Sequence, residues 1–147
     1  MGYFSSLDVS ASGMSAQRMR MDLISQNIAN ANTTRTQDGT PYRRQTLLLG
    51  ADITAPFSKY LSGTAKDMLN GEGKVKIQGV VEDQTDFRRV YEPDNPEADE
   101  EGYVSYPNVD IVTEMVDMIS ASRSYEANVT ASTASKNMAL QALNIGK

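Results

Sequence analysis

Glu82, Asp83 and Asp86 are the side chains nearest to a catalytic constellation in this sequence. Two carboxyl groups about 5 to 9 Å apart across a cleft can hydrolyse a glycosidic bond, one as acid and the other as nucleophile or base. These three acids fall where a strand gives way to a loop, and nothing around them signals a pocket. Composition narrows the remaining chemistry to Lys, Tyr and Ser. The 147 residues contain no histidine and no cysteine, which removes the usual general base, the commonest metal ligand, thiolate nucleophiles and disulfides. The run "EPDNPEADEEG", Glu92 to Gly102, holds six acids and two prolines, but its spacing departs from the calcium loop, so a solvated acidic loop is expected there. No catalytic residue, metal or cofactor is expected.

The formal net charge of -5 and a pI near 4.7 leave no basic surface to follow a phosphate backbone. Nucleic acid and anionic membrane surfaces are therefore excluded as partners. No run approaches the roughly 20 apolar residues that cross a bilayer, so direct membrane insertion is excluded too. The opening "MGYFSSLDVSASGM" lacks a basic n-region and an apolar h-region, and no cleavable signal is expected. Another protein remains as the partner class.

The elements that must position such a partner lie at the two ends. From Ser5 or Ser6 to about Asn30 the pattern is helical: Leu7, Met14, Met21 and Ile28 recur at seven-residue steps, with Ala11 and Ile24 between them. A second stripe of Val9, Ala16, Met19 and Leu23 lies on another face, giving the helix apolar surface on more than one side. Near the C-terminus, Pro107 and Asn108 read as a helix start, with Asn108 as N-cap and Asp110 in the first turn. No proline or glycine then interrupts Val109 to Ile145, and such a helix would extend roughly 55 Å. Its first half carries Val112, Met115, Val116 and Ile119. In its second half Ala127, Ala131 and Ala134 stand at helical spacing before Met138 and Ala142, a small-residue face that a second helix can approach closely.

Between the helices, glycine, proline and aspartate become frequent, and four short strands are expected at Tyr42–Leu49, Lys74–Glu82, Phe87–Glu92 and Gly102–Tyr106. Gly50 to Gly73 carries few signals beyond Pro56, and a mobile loop with a short helix around Ala65 to Leu69 is expected. The stretch "SQNIANANTTRT" marks the hand-over from the first helix. Asparagine tolerates the left-handed backbone of a helix end, and its amide donates and accepts at once. Termination needs one such residue. Asn27, Asn30 and Asn32 together point to a polar network, either capping the helix locally or shared with a neighbouring subunit.

At this point the residues carry a family resemblance. "LISQNIANANTTRT" following "SGMSAQRMRMD" resembles the N-terminal signature of flagellar basal-body rod, hook and hook-filament junction proteins, with Asn27, Ile28, Ala29 and Asn30 as its core. "PYRRQTLLL", "GVVED" and the long run from Val90 to Val129 are similar to the proximal-rod members of that family. The resemblance implies a structural subunit of the hollow rod that passes torque from motor to hook across the periplasm. It implies terminal helices packed together near the axis, an outward-facing insertion, and termini disordered before assembly. It also implies partners: copies of itself and other flagellar rod proteins, the rod-base export-gate adaptor, and the flagellar type III export apparatus. Distal rod or hook proteins are the alternative within the family, although they are generally longer. A carboxylate-dependent peptidoglycan hydrolase using Glu82, Asp83 or Asp86 is the alternative outside it.

The expected fold is α+β: long N- and C-terminal helices forming a coiled-coil-like core (1–32 and 108–147), with a small β-rich insertion at 33–107. The candidate subunit interface consists of Leu7, Met14, Met21, Ile24, Ile28, Asn27, Asn30 and Asn32 at one end. At the other it comprises Met115, Ile119, Arg123, Tyr125, Asn128, Ala131, Ala134 and Met138, with Ala127 beside them. Each of these could equally make a contact within its own chain.

Overall fold

A computed structural model describes residues 3–51 and 73–145. In chain order these form α1 (Tyr3–Ala29), β1 (Gln45–Ala51), β2 (Val75–Glu82), β3 (Arg88–Tyr91), β4 (Tyr103–Tyr106) and α2 (Ile111–Ile145). The fold is α+β, two long helices with an insertion of two two-stranded sheets, β1 with β2 and β3 with β4. The expected loop between Gly50 and Gly73, with Pro56 and the short helix at Ala65 to Leu69, lies outside the described residues except at its two ends. The chain divides into two units. One comprises Met1–Met19, Leu48–Gly79 and Ala121–Lys147, and the other Arg20–Leu47 with Val80–Ser120.

In the first unit, α1 carries Gly13 where a close neighbour demands it. A Cβ at this position would stand 3.0 to 3.2 Å from the side-chain amide of Asn128 on α2, tighter than ordinary van der Waals contact. That amide is itself held in place by donating to the Ser124 carbonyl at 2.9 Å. The Val75 backbone N–H donates to the Ser12 hydroxyl at 3.1 Å, which ties the start of β2 to α1.

In the second unit, α1 ends without a left-handed asparagine. Among the described residues only Gly39, Gly73 and Gly102 have positive φ. The helix end is closed instead by backbone bonds from Asn30 N–H to the Gln26 carbonyl and from Ala31 N–H to the Ile28 carbonyl. The Asn30 side chain donates to the same Gln26 carbonyl at 2.9 Å and accepts from the Thr33 hydroxyl at 3.2 Å. Side-chain bonding thus does the work for which backbone inversion was expected.

α2 starts later than its sequence suggests. Asp110 is the capping residue: its carboxylate accepts from the Val112 N–H at 3.1 Å and from the Thr113 hydroxyl at 2.8 Å. Asn108, expected in that role, is occupied by Arg44, Asp83 and Thr85 instead. β3 and β4 pair antiparallel, Arg88 opposite Tyr106 and Tyr91 opposite Tyr103. The acidic loop between them is exposed but tied down. Asp99 accepts from the backbone N–H groups of Glu101 and Tyr103 and from the Arg89 guanidinium, while Glu92 accepts from Asn95 and the Tyr106 hydroxyl. Gly102 closes the loop at φ +81, where an added Cβ would lie 2.9 Å from the Tyr91 ring.

The two faces of α2 are reversed relative to a globular helix. The residues that turn inward are mostly polar or small: in the second unit Glu114 is buried and Asp117 and Met118 are half-buried, and in the first Ala121 is buried and Tyr125, Asn128, Ser132 and Ser135 are half-buried. Outward stand Val112, Met115, Val116 and Ile119, which are 70, 53, 61 and 57% exposed. Ala127, Ala131, Ala134 and Met138 are exposed as well. On α1 the inward seam is Ala16, Leu23, Ile24, Asn27 and, just past the helix, Ala31.

Candidate functional site

The centre of the second unit is polar. Glu114, in the first turn of α2, is 0% exposed, and Asn27, in the last turn of α1, is 1% exposed. The Asn27 amide donates to Glu114 Oε2 at 3.0 Å and to the Gln45 carbonyl at 2.9 Å. Its oxygen accepts from the Gln45 N–H and from the Tyr42 hydroxyl, each at 2.9 Å. All four hydrogen-bonding positions of this amide are therefore filled within the chain.

Glu114 Oε1 accepts from Arg44 Nε at 2.6 Å. The same guanidinium approaches Asp117 at 3.5 Å and Asp83 at 3.7 Å, and Arg20 on α1 reaches Asp117 at 3.8 Å. Because the partners of Arg20 and Asn27 fall in reverse order along α2, the two helical segments run antiparallel here. Asn108 completes the node. It accepts the Arg44 N–H at 2.8 Å and donates to the Asp83 carbonyl at 3.1 Å and the Thr85 hydroxyl at 2.8 Å. Arg43 also reaches the Asp83 carbonyl and lies 4.4 Å from the centre of the Phe87 ring. One cluster thereby joins the end of α1, the start of β1, the turn after β2 and the start of α2. A buried charge is tolerable because it is paired and fully hydrogen-bonded.

Electrostatics follow the geometry. Burial, then the carboxylates of Glu114 and Glu82, hold the Tyr42 phenol above its ordinary pKa. Asp83 is held below the carboxylate range, first by the Thr85 backbone N–H and then by the Thr85 hydroxyl. Asp110 is lowered by the Thr113 hydroxyl first and the Val112 N–H second. A carboxylate whose pKa is lower folded than unfolded adds stability above its unfolded value of about 4 and loses it as pH falls through the folded value. Asp110→Ala is therefore expected to lower the urea midpoint near neutral pH, by a difference that shrinks as both proteins are taken below about pH 4. Urea unfolding of the two chains across that range checks this.

Of the expected interface residues, Asn27 and Ile24 are positions of the chain's own interior, 1% and 5% exposed. Asn30 caps α1. Asn32 is exposed, and Leu7, Met14, Met21 and Ile28 are half-buried. Met115, Ile119, Arg123, Ala131, Ala134 and Met138 are exposed, while Tyr125 and Asn128 are half-buried on the inward face. Of the three acids weighed as catalysts, Asp86 borders one cleft with Arg88, Pro107 and Ile111, and Glu82 borders another with Thr36 and Tyr42. Asp83 is engaged by Thr85 and Arg44.

Sequence reasoning missed Tyr42, Arg44 and Glu114. A signal was present for Glu114, which lies at helical spacing with Asp117, Ala121 and Tyr125 and off the apolar stripe of Val112, Val116 and Ile119.

Residues 7–36 match the family described as flagella basal body rod protein, and residues 100–145 match the flagellar basal body rod FlgEFG protein C-terminal family. The first match contains Asn27 and the second contains Glu114. The chain is 46% identical over 151 aligned positions to the flagellar basal-body rod protein FlgC of Bacillus subtilis, covering 98% of each. It is 46% identical to that of Borreliella burgdorferi, covering 99% of this chain and 98% of the other, and 41% identical to that of Salmonella typhimurium, covering 95% of each. With both signature segments matched and near-complete coverage at such identity, the chain belongs to the FlgC family of flagellar basal-body rod proteins.

Proposed function

We propose that this chain is a structural subunit of the proximal rod of the bacterial flagellum. Its terminal helices assemble with copies of itself and other rod proteins into the hollow drive shaft that carries torque from motor to hook. The observation that carries this reading is the reversed α2, whose polar face is turned inward while Val112, Met115, Val116 and Ile119 stand open to water. A contiguous apolar stripe on a free chain marks a surface that another protein covers. A heterologous surface repeated from copy to copy builds a tube or helix of subunits. The export-gate adaptor at the rod base and the type III export apparatus are the further partners, and the periplasm-spanning part of the basal body is the location. The role is mechanical and requires no cofactor or catalytic group.

Leu7, Met14, Met21 and Ile28 on α1, with Met115, Ile119, Arg123, Ala131, Ala134 and Met138 on α2, are the proposed subunit contacts. Arg123 is exposed in the free chain and in the rod would need a carboxylate or carbonyl partner. Arg123→Ala is expected to reduce rod yield and swimming while leaving the helicity of the purified chain unchanged. Rod yield and motility equal to the parent would contradict the reading.

A further inference from the structure

We infer that the Glu114–Arg44–Asn27 node fixes the axial register between α1 and α2, and with it the position of the outward apolar stripe, without adding net folding stability. The consequence rests on the rod reading, but the test is made on the purified chain, where the node must already be ordered although the resemblance implies termini disordered before assembly, so failure here leaves that reading standing.

The apolar contacts of the second unit are few: Leu23, Ile24, Ala31, Val104 and Pro107 are its buried apolar residues. Such contacts are non-directional. A slip of one helical turn, roughly 5.4 Å, would still bury aliphatic surface. The polar contacts do not survive the slip. Three carboxylates stand at helical steps from the cap of α2 into its first turns, and each has a different partner. Asp110 caps the helix backbone, Glu114 meets Asn27 and Arg44, and Asp117 meets Arg20 and Arg44. Moving Asp117 into the place of Glu114 abandons Arg20 and offers a side chain one methylene too short. Moving Asp110 there forfeits the cap.

Asn27 extends the lock to the sheet. It exchanges both backbone bonds with Gln45, as a neighbouring strand residue would, so the register of α1 is set against β1 as well as α2. Burying Glu114 forfeits its hydration, and a buried pair of this kind roughly breaks even against apolar residues of similar volume. What it contributes is discrimination, as a buried polar residue does in selecting coiled-coil register.

The sequence has no cysteine, so Asp22→Cys and Val116→Cys, both at exposed positions of the second unit, give two defined spin-label sites in the full chain. The parent is expected to show one narrow distance. In Arg44→Met with Glu114→Met, which removes the ion pair but also leaves one Asn27 N–H without its acceptor, a second distance displaced by roughly one turn is expected at a thermal midpoint above that of Glu114→Ala, because no charge is left buried and unpaired. Glu114→Gln places an NH2 against one of the two donors and is expected to show the second distance as a minor population. Leu23→Ala, a contrast, is expected to lower the midpoint and keep the single distance. A single unchanged distance in both Glu114 variants would overturn the inference. So would a second distance, or loss of folding, in the double variant that comes only with a midpoint as low as that of Glu114→Ala.

Discussion

Glu114→Ala is expected to be among the most destabilising single substitutions in the described residues. It leaves one N–H of the buried Asn27 amide without an acceptor, takes the 2.6 Å partner from Arg44, and opens a void where a fully buried side chain stood. Removing one member of a buried ion pair costs about 3 to 5 kcal/mol. The lower end applies, because the Arg44 side chain is 24% exposed and keeps Asp83 and Asp117 within reach. For a chain of 147 residues, about 3 kcal/mol corresponds to a loss of about 10 °C in thermal midpoint. Thermal unfolding followed by circular dichroism on the purified chain reads this directly. A shift of a degree or two would mean that the node is hydrated and loose.

Ile119→Asp is expected to have the opposite profile. The residue is 57% exposed in the free chain, and exposed substitutions usually change stability by less than about 0.5 kcal/mol. Helicity and midpoint of the purified chain should therefore be unchanged. On the proposed rod reading the same residue is covered by a neighbouring subunit. Loss of one buried Ile removes about 1.5 to 3 kcal/mol per contact, and the carboxylate that replaces it must also be desolvated. A 3 kcal/mol loss is already more than 100-fold in association, and every copy carries it. Cells relying on this variant are expected to be non-motile, with few rods recovered. Normal swimming would remove α2's outward face from the assembly surface.

Much of this architecture was legible in the sequence because it depends on local rules. The unbroken run from Val109 to Ile145, the four short strands and the stripe from Val112 to Met138 each follow from spacing alone. The exposed side of α2 carries the very residues whose step of three and four had marked them as a face. What periodicity cannot decide is whether an apolar face turns toward its own chain or away from it. On α2 the inward face is the polar one, a reversal visible only once the first unit and the second are described.

The node was illegible for a different reason. Asn27 and Glu114 stand 87 residues apart, and neither looks unusual locally. Glu114 reads as a first-turn acid favoured by the helix dipole, and Asn27 as one of three residues closing a helix. Similarly, Asn108 had the right type for a cap, but the backbone N–H of Arg44 claims its oxygen, so the cap passes to Asp110. Local chemistry permits several partners for such residues. Tertiary context selects one.

The measurement that bears most directly on the assembly reading is a density map of the isolated basal body with this chain traced through it. The expected result is a ring or helix of copies in which Val112, Met115, Val116 and Ile119 are covered by neighbouring subunits. A traced chain whose neighbours touch only the β3–β4 hairpin, with that stripe still facing water, would contradict it.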